Sequence, residues 1–334
     1  MKKHTIRKIV TFFSLTIAGI LPAMAQQNIQ FTQYIFNSLS VIPAYAGYKE
    51  VWFGQLALRS QWSDISGAPK TGQVSVDGIL DPLHKRMGAG LQVTSDKLGA
   101  QSAVSAYANY AYRLQLDDDD TKRLSFGLGI GVTSYGLDAD MLSPVNQNDP
   151  NLTKGQLNTL VPDARLGVYY ADPKFYFGLS VMDLFASKKA DIFNDDLNIS
   201  QNINRKRHMY LMTGMMVRMD DNIKLRPGIL IKEDFKGPTS FDFSGMLIFN
   251  DRLWIGGSYR AGIDLWKKDY SQNLSLTGTN SVSGIVQFYA TDRFRIGYSY
   301  DYSLNGLGNV GSHELTLGIT LPGKTQRLLS PRFF

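Results

Sequence analysis

The stretch Arg293-Phe-Arg-Ile-Gly-Tyr-Ser-Tyr-Asp301 sets Phe294, Ile296, Tyr298 and Tyr300 at every second position, with Arg293, Arg295, Gly297, Ser299 and Asp301 between them. Successive side chains of an extended strand point to opposite sides, so this stretch has one apolar and one polar face. The same alternation recurs in runs starting near Val51, Lys70, Arg86, Ser102, Arg123, Pro162, Lys174, Arg207, Ile223, Thr239, Arg252, Ser281, Arg293 and Ser312. Leu124, Phe126, Leu128, Ile130 and Val132 alternate with Ser125, Gly127, Gly129, Gly131 and Thr133; Leu315, Leu317, Ile319 and Leu321 alternate with Glu314, Thr316, Gly318 and Thr320. No amphipathic helix is present to cover the apolar faces, and a protein core would strand the hydroxyls and charges of the polar ones. A sheet closed on itself solves both problems, with lipid against the apolar face and a lumen, which could be wet, inside. The fold expected is all-β: a transmembrane outer-membrane β-barrel of about 14 antiparallel strands.

Met1–Lys8 carries Lys2, Lys3, Arg7 and Lys8 without an acid, Ile9–Leu21 is almost wholly apolar, and Ala23-Met-Ala25 offers a small-x-small cleavage site before Gln26. This reads as a secretory signal peptide over 1–25. Its apolar part is short for a spanning helix, and no later stretch is longer. Residues 26–50 form an N-terminal periplasmic or lumenal segment. Within it Phe31, Tyr34, Ile35 and Leu39 fit a helical stripe ended by Pro43-Ala-Tyr-Ala-Gly47, so a short helical segment is expected before the barrel. The barrel itself is assigned to 51–322 and a C-terminal tail to 323–334.

The net charge of +6 comes from 35 basic and 29 acidic residues, and without the four basic residues of the signal the balance is 31 against 29. Nothing in that balance calls for a nucleic-acid partner. There are no cysteines, which rules out disulfides, thiol catalysis and thiolate metal sites.

The connections after even-numbered runs are mostly tight and rich in turn residues: Ala171-Asp-Pro173, Asp220-Asp-Asn222, Asn250-Asp251 and Thr291-Asp292. Those after odd-numbered runs include every long one, at Asp138–Val161, Ala186–Lys206 and Ile263–Asn280. Outer-membrane barrels keep short turns in the periplasm, so this phase puts the long loops outside and both termini in the periplasm. The charge block Asp117–Asp120 falls on a short connection and reads as a solvated turn.

Catalytic patterns are missing. Outside the signal the histidines are His84, His208 and His313, none in HExxH, and His313 and Glu314 point to opposite faces of one strand. Gly127-x-Gly129-x-Gly131 lies in a strand, where glycines thin a wall or relieve curvature rather than cradle phosphate. Asp163, Asp242 and Glu314 on polar faces read as charges paired with Arg165, Arg226, Arg260 and Arg293. No enzyme activity, cofactor or metal is expected. One connection, Arg59-Ser-Gln-Trp-Ser-Asp-Ile-Ser-Gly-Ala-Pro-Lys70, combines an arginine, a tryptophan and a Gly/Pro turn. It reads either as an aromatic-girdle Trp with a rigid turn or as a partner-docking edge built from Arg59, Trp62, Gly67, Pro69 and Lys70.

The series Asn28-Ile-Gln-Phe-Thr-Gln-Tyr-Ile-Phe-Asn37, Pro43-Ala-Tyr-Ala-Gly47, Gln61-Trp62, Gly67-Ala-Pro-Lys-Thr71, Ser75-Val-Asp-Gly78, Trp254–Arg260, Ile296–Asp301, Gly311–Leu315 and Ser330–Phe334 closely resembles the PorP/SprF family of type IX secretion system membrane proteins of Bacteroidota. The resemblance implies an outer-membrane barrel of the type IX secretion and gliding motility machinery that supports export and surface retention of secreted adhesins. The partners it implies are the periplasmic ring of the apparatus, an adhesin with a C-terminal secretion signal, and outer-membrane lipid. The alternative left by the residues alone is a passive porin or small-solute transporter.

Overall fold

The computed structural model describes residues 29–141, 155–186, 206–235, 237–263, 265, 280–304 and 310–321. The signal segment, the C-terminal tail and the middles of the longest connections lie outside them. Fourteen antiparallel strands follow one another: β1 (Phe53–Ser60), β2 (Lys70–Ile79), β3 (Met87–Leu98), β4 (Gln101–Gln115), β5 (Arg123–Asp138), β6 (Gln156–Ala171) and β7 (Phe175–Met182) make the first half. The second half is β8 (His208–Met215, resumed over Val217–Arg218), β9 (Ile223–Glu233), β10 (Thr239–Phe249), β11 (Leu253–Ile263), β12 (Ser281–Tyr289), β13 (Phe294–Ser303) and β14 (Gly311–Thr320). Each strand pairs with its chain neighbours, and β1 pairs with β14 from Phe53↔Thr320 to Ser60↔His313, closing the sheet. No edge then remains around the full circumference at the level of the shorter strands.

Burial runs opposite to that of a water-soluble core. Along β5, Leu128 is 47% and Ile130 60% exposed, whereas Ser125 is 3% exposed. The apolar set faces outward for lipid and the polar set inward. The short turns obey local rules. Asn250 and Asp251 both take positive φ, as a two-residue hairpin matched to strand twist requires. In the β4–β5 turn the Asp117 carboxylate accepts the Thr121 and Lys122 amides at 2.8 and 2.9 Å and the Thr121 hydroxyl. The Lys122 amide, with the Thr121 hydroxyl, holds Asp117 below the usual carboxylate range.

Two sequence expectations change. Strand β6 begins at Gln156 rather than near Pro162, so the β5–β6 hairpin stands level with the β3–β4 hairpin and well above β7. Above Val132 and Leu160 neither face is consistently apolar, and the alternation fades although the backbone ladder continues. The N-terminal segment is no helix but three separate 3₁₀ turns, Tyr34–Phe36, Ser38–Ser40 and Pro43–Tyr45. Barrel side chains take the Thr32, Gln33 and Gly47 amides and the Phe36, Val41 and Ala46 carbonyls, which leaves the described segment a single i→i−4 bond, from the Ile42 amide to the Ser38 carbonyl.

Candidate functional site: a lumen filled by the chain's own N-terminal segment

From Ile29 to Tyr48 the sequence holds no charged residue, only apolar, aromatic and small polar side chains. Such a segment meets a charged wall through its backbone. The wall acts accordingly at three levels.

Nearest the long connections, Gln30 donates Nε2 to Ser240 Oγ at 2.9 Å, beside the first residue of β10. Glu314 accepts the Thr32 and Gln33 amides at 2.8 and 3.0 Å. Arg59 bridges Glu314 at 3.1 Å, Asp301 at 2.7 Å and Thr32 Oγ1 at 3.0 Å, and the Thr32 hydroxyl donates to Asp301 at 2.6 Å. Each charge in this cluster is met by an opposite charge and by hydrogen bonds, the condition under which buried ions are tolerated. Beside it, Arg260 pairs with Asp242 at 2.8 Å, and the Tyr34 hydroxyl lies 3.2 Å from Ser244.

At mid-height, Gln73 donates to Asn37 Oδ1 at 2.9 Å, Arg295 donates to the Phe36 carbonyl at 3.3 Å, and Ser180 donates to the Val41 carbonyl at 2.5 Å. Tyr34, Ile35, Phe36, Leu39 and Ile42 belong there to one buried apolar cluster with Tyr210, Met212, Leu230, Met246, Ile248 and Trp254 of the second half of the wall and Tyr169 and Tyr176 of the first. Phe36 meets Trp254 edge-on with ring centroids 5.2 Å apart. Elsewhere the wall makes room instead: a Cβ on Gly127 of β5 would land on the Ala44 backbone, and one on Gly178 of β7, the register partner of Met212, on the Ile42 side chain. Of the glycines in Gly127-x-Gly129-x-Gly131, Gly127 thins the wall for this occupant, whereas Gly129 makes room for Arg165 and Asn109 and Gly131 for Tyr107, all of the wall itself.

Toward the short turns, Arg113 donates to the Ala46 carbonyl at 3.0 Å and the Gly47 amide donates to Asp77 at 2.8 Å. Gly47 has φ +68°, which reverses the chain toward the wall. Glu50 then pairs with Arg123 at 2.7 Å and Lys85 at 2.8 Å. The described chain thus starts at the long-loop end, descends the lumen and enters β1 at the short-turn end, while β14 also finishes at the short-turn end. Strand parity placed both termini on one side because it counts crossings in the wall; the lumenal segment adds one more.

The paired-charge reading of the lumen holds for Asp242 with Arg260. Glu314 takes Arg59 as its partner, a residue assigned from sequence to the docking edge. Asp163 accepts from the Tyr107 hydroxyl at 2.8 Å, with Arg165 over the Tyr107 ring at 3.5 Å. Arg226 lies over Tyr176 at 4.8 Å. Arg293 is exposed in the β12–β13 turn, and the lumenal arginine of that strand is Arg295. His208 sits 3.0 Å from Asp183, His84 3.1 Å from Asp81, and His313 faces outward 2.7 Å from the Tyr298 hydroxyl. Among the described residues no group of three metal-ligating side chains converges. Of the docking candidates, Arg59 is 6% exposed in the lumen. Trp62 is half-buried at φ +48° with its amide on Ser312 Oγ at 3.0 Å, while Gly67 and half-buried Pro69 lie on the loop and exposed Lys70 opens β2 opposite Ser60. Sequence reasoning missed Thr32, Gln33, Asp77, Arg113 and Asp301 as wall-to-segment contacts. The signal for them was the charge-free segment preceding a charge-rich polar face.

The model of the family described as type IX secretion system membrane protein PorP/SprF matches residues 23–319. The chain belongs to the PorP/SprF family. No curated protein matches it. Among solved structures, the TodX deltaS2S3 mutant monoaromatic hydrocarbon channel superposes with TM-score 0.50 at 11% identity, covering 84% of this chain and 92% of that one. A Pseudomonas aeruginosa FadL homologue gives 0.46 at 10% identity over 84% and 92%, and Acinetobacter baumannii Omp33 gives 0.44 at 9% over 82% and 100%. At these identities the likeness concerns the barrel fold alone. This PorP/SprF protein is thus a type IX secretion system membrane barrel whose lumen is occupied by residues 29–51.

Proposed function

We propose that this barrel serves type IX secretion and gliding in the outer membrane by holding a secreted adhesin at its long-loop end and docking on the periplasmic ring at its short-turn end. The observation that carries the reading is the filled lumen. A wall that spends Arg59, Asp77, Arg113, Arg295, Asp301 and Glu314 on its own N-terminal segment favours a binding scaffold over a solute channel. The lumenal acids a hydrolase would need are likewise engaged, Asp242 by Arg260 and Glu314 by Arg59 and two amides. Family membership and the shared side of the long connections support long loops outside and short turns in the periplasm. Trp62, Gly67, Pro69 and Lys70 form part of the outer docking rim, with Arg59 beneath as the support that fixes the loop's root.

The test is a deletion strain complemented with barrels shortened at 142–154 or 266–279. Barrel abundance should be unchanged, since stability lies in strand pairing and lipid burial, and adhesin should move from the cell surface to the medium. Normal adhesin display in the deletion strain, with a solute-uptake defect in its place, would establish the porin alternative.

A further inference from the structure

Strand β6 pairs with β5 along its whole length, from Arg123↔Ala171 to Asp138↔Gln156. On its other side it pairs with β7 only from Leu166↔Val181 to Ala171↔Tyr176, and the last bond there runs from the Leu184 amide to the Ala164 carbonyl at 3.0 Å. Among the described residues no strand lies beside Gln156–Pro162. Among the described residues the barrel is closed below this level and open-edged above it.

Which groups the edge presents follows from strand geometry. A strand residue sends its N–H and C=O to the same side, and successive residues alternate. The Gly155 carbonyl accepts from Ala139 on the β5 side, and the Ala164 carbonyl accepts from Leu184 on the other. Gln156, Asn158, Leu160 and Pro162 therefore face away from β5. Gln156, Asn158 and Leu160 offer both a donor and an acceptor, and Pro162 offers a carbonyl alone.

Proteins guard such edges with charges, inward lysines or bulges. Gln156-Leu-Asn-Thr-Leu-Val161 has none of these, and the bounding Pro162 sits at its foot, where the lipid-facing apolar residues begin. Leu160 is 66% exposed. A bare edge is unstable in hydrocarbon, and this one stands at and above the level where outward residues turn polar, at Ser134, Gly136 and Asn158. The inward neighbours Leu137, Leu157, Thr159 and Val161 are half-exposed and mostly apolar. Only another extended backbone matches a row of alternating donors and acceptors, and the two faces specify its side chains.

We infer that the β6 edge over Gln156–Pro162 is a strand-docking site: it takes an extended segment of a partner protein whose inward residues are apolar and whose outward residues are polar and uncharged. This deepens the proposed function and rests on it for the partner's identity as the secreted adhesin; the edge itself rests on the pairing pattern. Docking of this kind adds main-chain hydrogen bonds for affinity and alternate side-chain contacts for specificity.

Proline at Leu160 separates the two roles of the strand. The Leu160 amide faces away from β5, so Leu160→Pro removes a docking donor without touching the β5–β6 ladder, whereas Thr159→Pro removes a ladder bond. The experiment places a photo-crosslinking residue at Asn158 of the full-length barrel in cells displaying adhesin, with and without Leu160→Pro and Leu160→Lys. The expected result is an adduct to an extended segment of the adhesin that falls about tenfold in both variants, with barrel abundance and heat-modifiable mobility unchanged. An adduct to the same chain only, such as residues 187–205, would overturn the inference, as would undiminished adduct in both variants. If the deletion strain loses adhesin display yet Leu160→Pro keeps it, the docking site is wrong and the proposed function stands. If deletion itself leaves display intact, the proposed function fails first.

Discussion

Glu314 and His313 are adjacent in β14 and answer to different solvents. Glu314 is 1% exposed and is held by Arg59 and two amides of the lumenal segment, whereas His313 stands on the outer face among Tyr298 and Tyr300. The same contrast runs along much of the wall: inner positions meet specific groups of this chain, polar around Glu314 and apolar on β8–β11, while outer positions meet a nonspecific apolar solvent. An inner position is therefore sensitive to which residue it holds, while an outer one is sensitive mainly to charge.

The largest expected effect is on the inner face. Glu314→Ala removes the acceptor of two buried amides and one partner of Arg59, and should lower unfolding stability by about 3–5 kcal/mol. Equilibrium urea unfolding in detergent measures this; a loss under 1 kcal/mol would mean that water enters the lumen and replaces the carboxylate. Next comes the outer face, where Ile130→Arg sets a charge against the bilayer and should cost about 2–4 kcal/mol in lipid vesicles. The same substitution near the rim, at Val104, should cost less, and an equal cost at both depths would remove the lipid reading of this face. The smallest effect separates two glycines. Gly127→Ala drives a methyl onto the Ala44 backbone and should cost about 1–3 kcal/mol while making residues 29–47 accessible to protease. Gly284→Ala, with open space around it, should stay within about 0.5 kcal/mol and leave the segment protected.

Much of this architecture was legible in the residues. The strand count and the placement of nearly all strands follow from alternation, because in lipid each strand must show the same two faces over its spanning length. Antiparallel neighbours send alternate connections to opposite ends, so the shared parity of the long connections, which nothing in the pairing forces, puts them all at one end. Legibility failed wherever the environment stopped being two-faced. The upper arm of β6 left no period-two signal above the lipid, and the lumenal segment has a helical stripe but not the free backbone groups a helix needs. Arg59 read as part of a surface loop since it precedes Trp62 in sequence; register with Glu314 on β14 turns it inward.

The sequence by itself determined that this chain is a membrane barrel and which residues face lipid, because side-chain period and hydrophobicity are local properties and lipid imposes the same demand on every strand. It also held the motifs of the PorP/SprF family. Only the tertiary structure decided that the lumen is filled, that Arg59, Asp301 and Glu314 meet around Thr32, and that β6 outruns its neighbour. Those outcomes depend on contacts between residues up to 283 positions apart, and such contacts exist only once the sheet has closed.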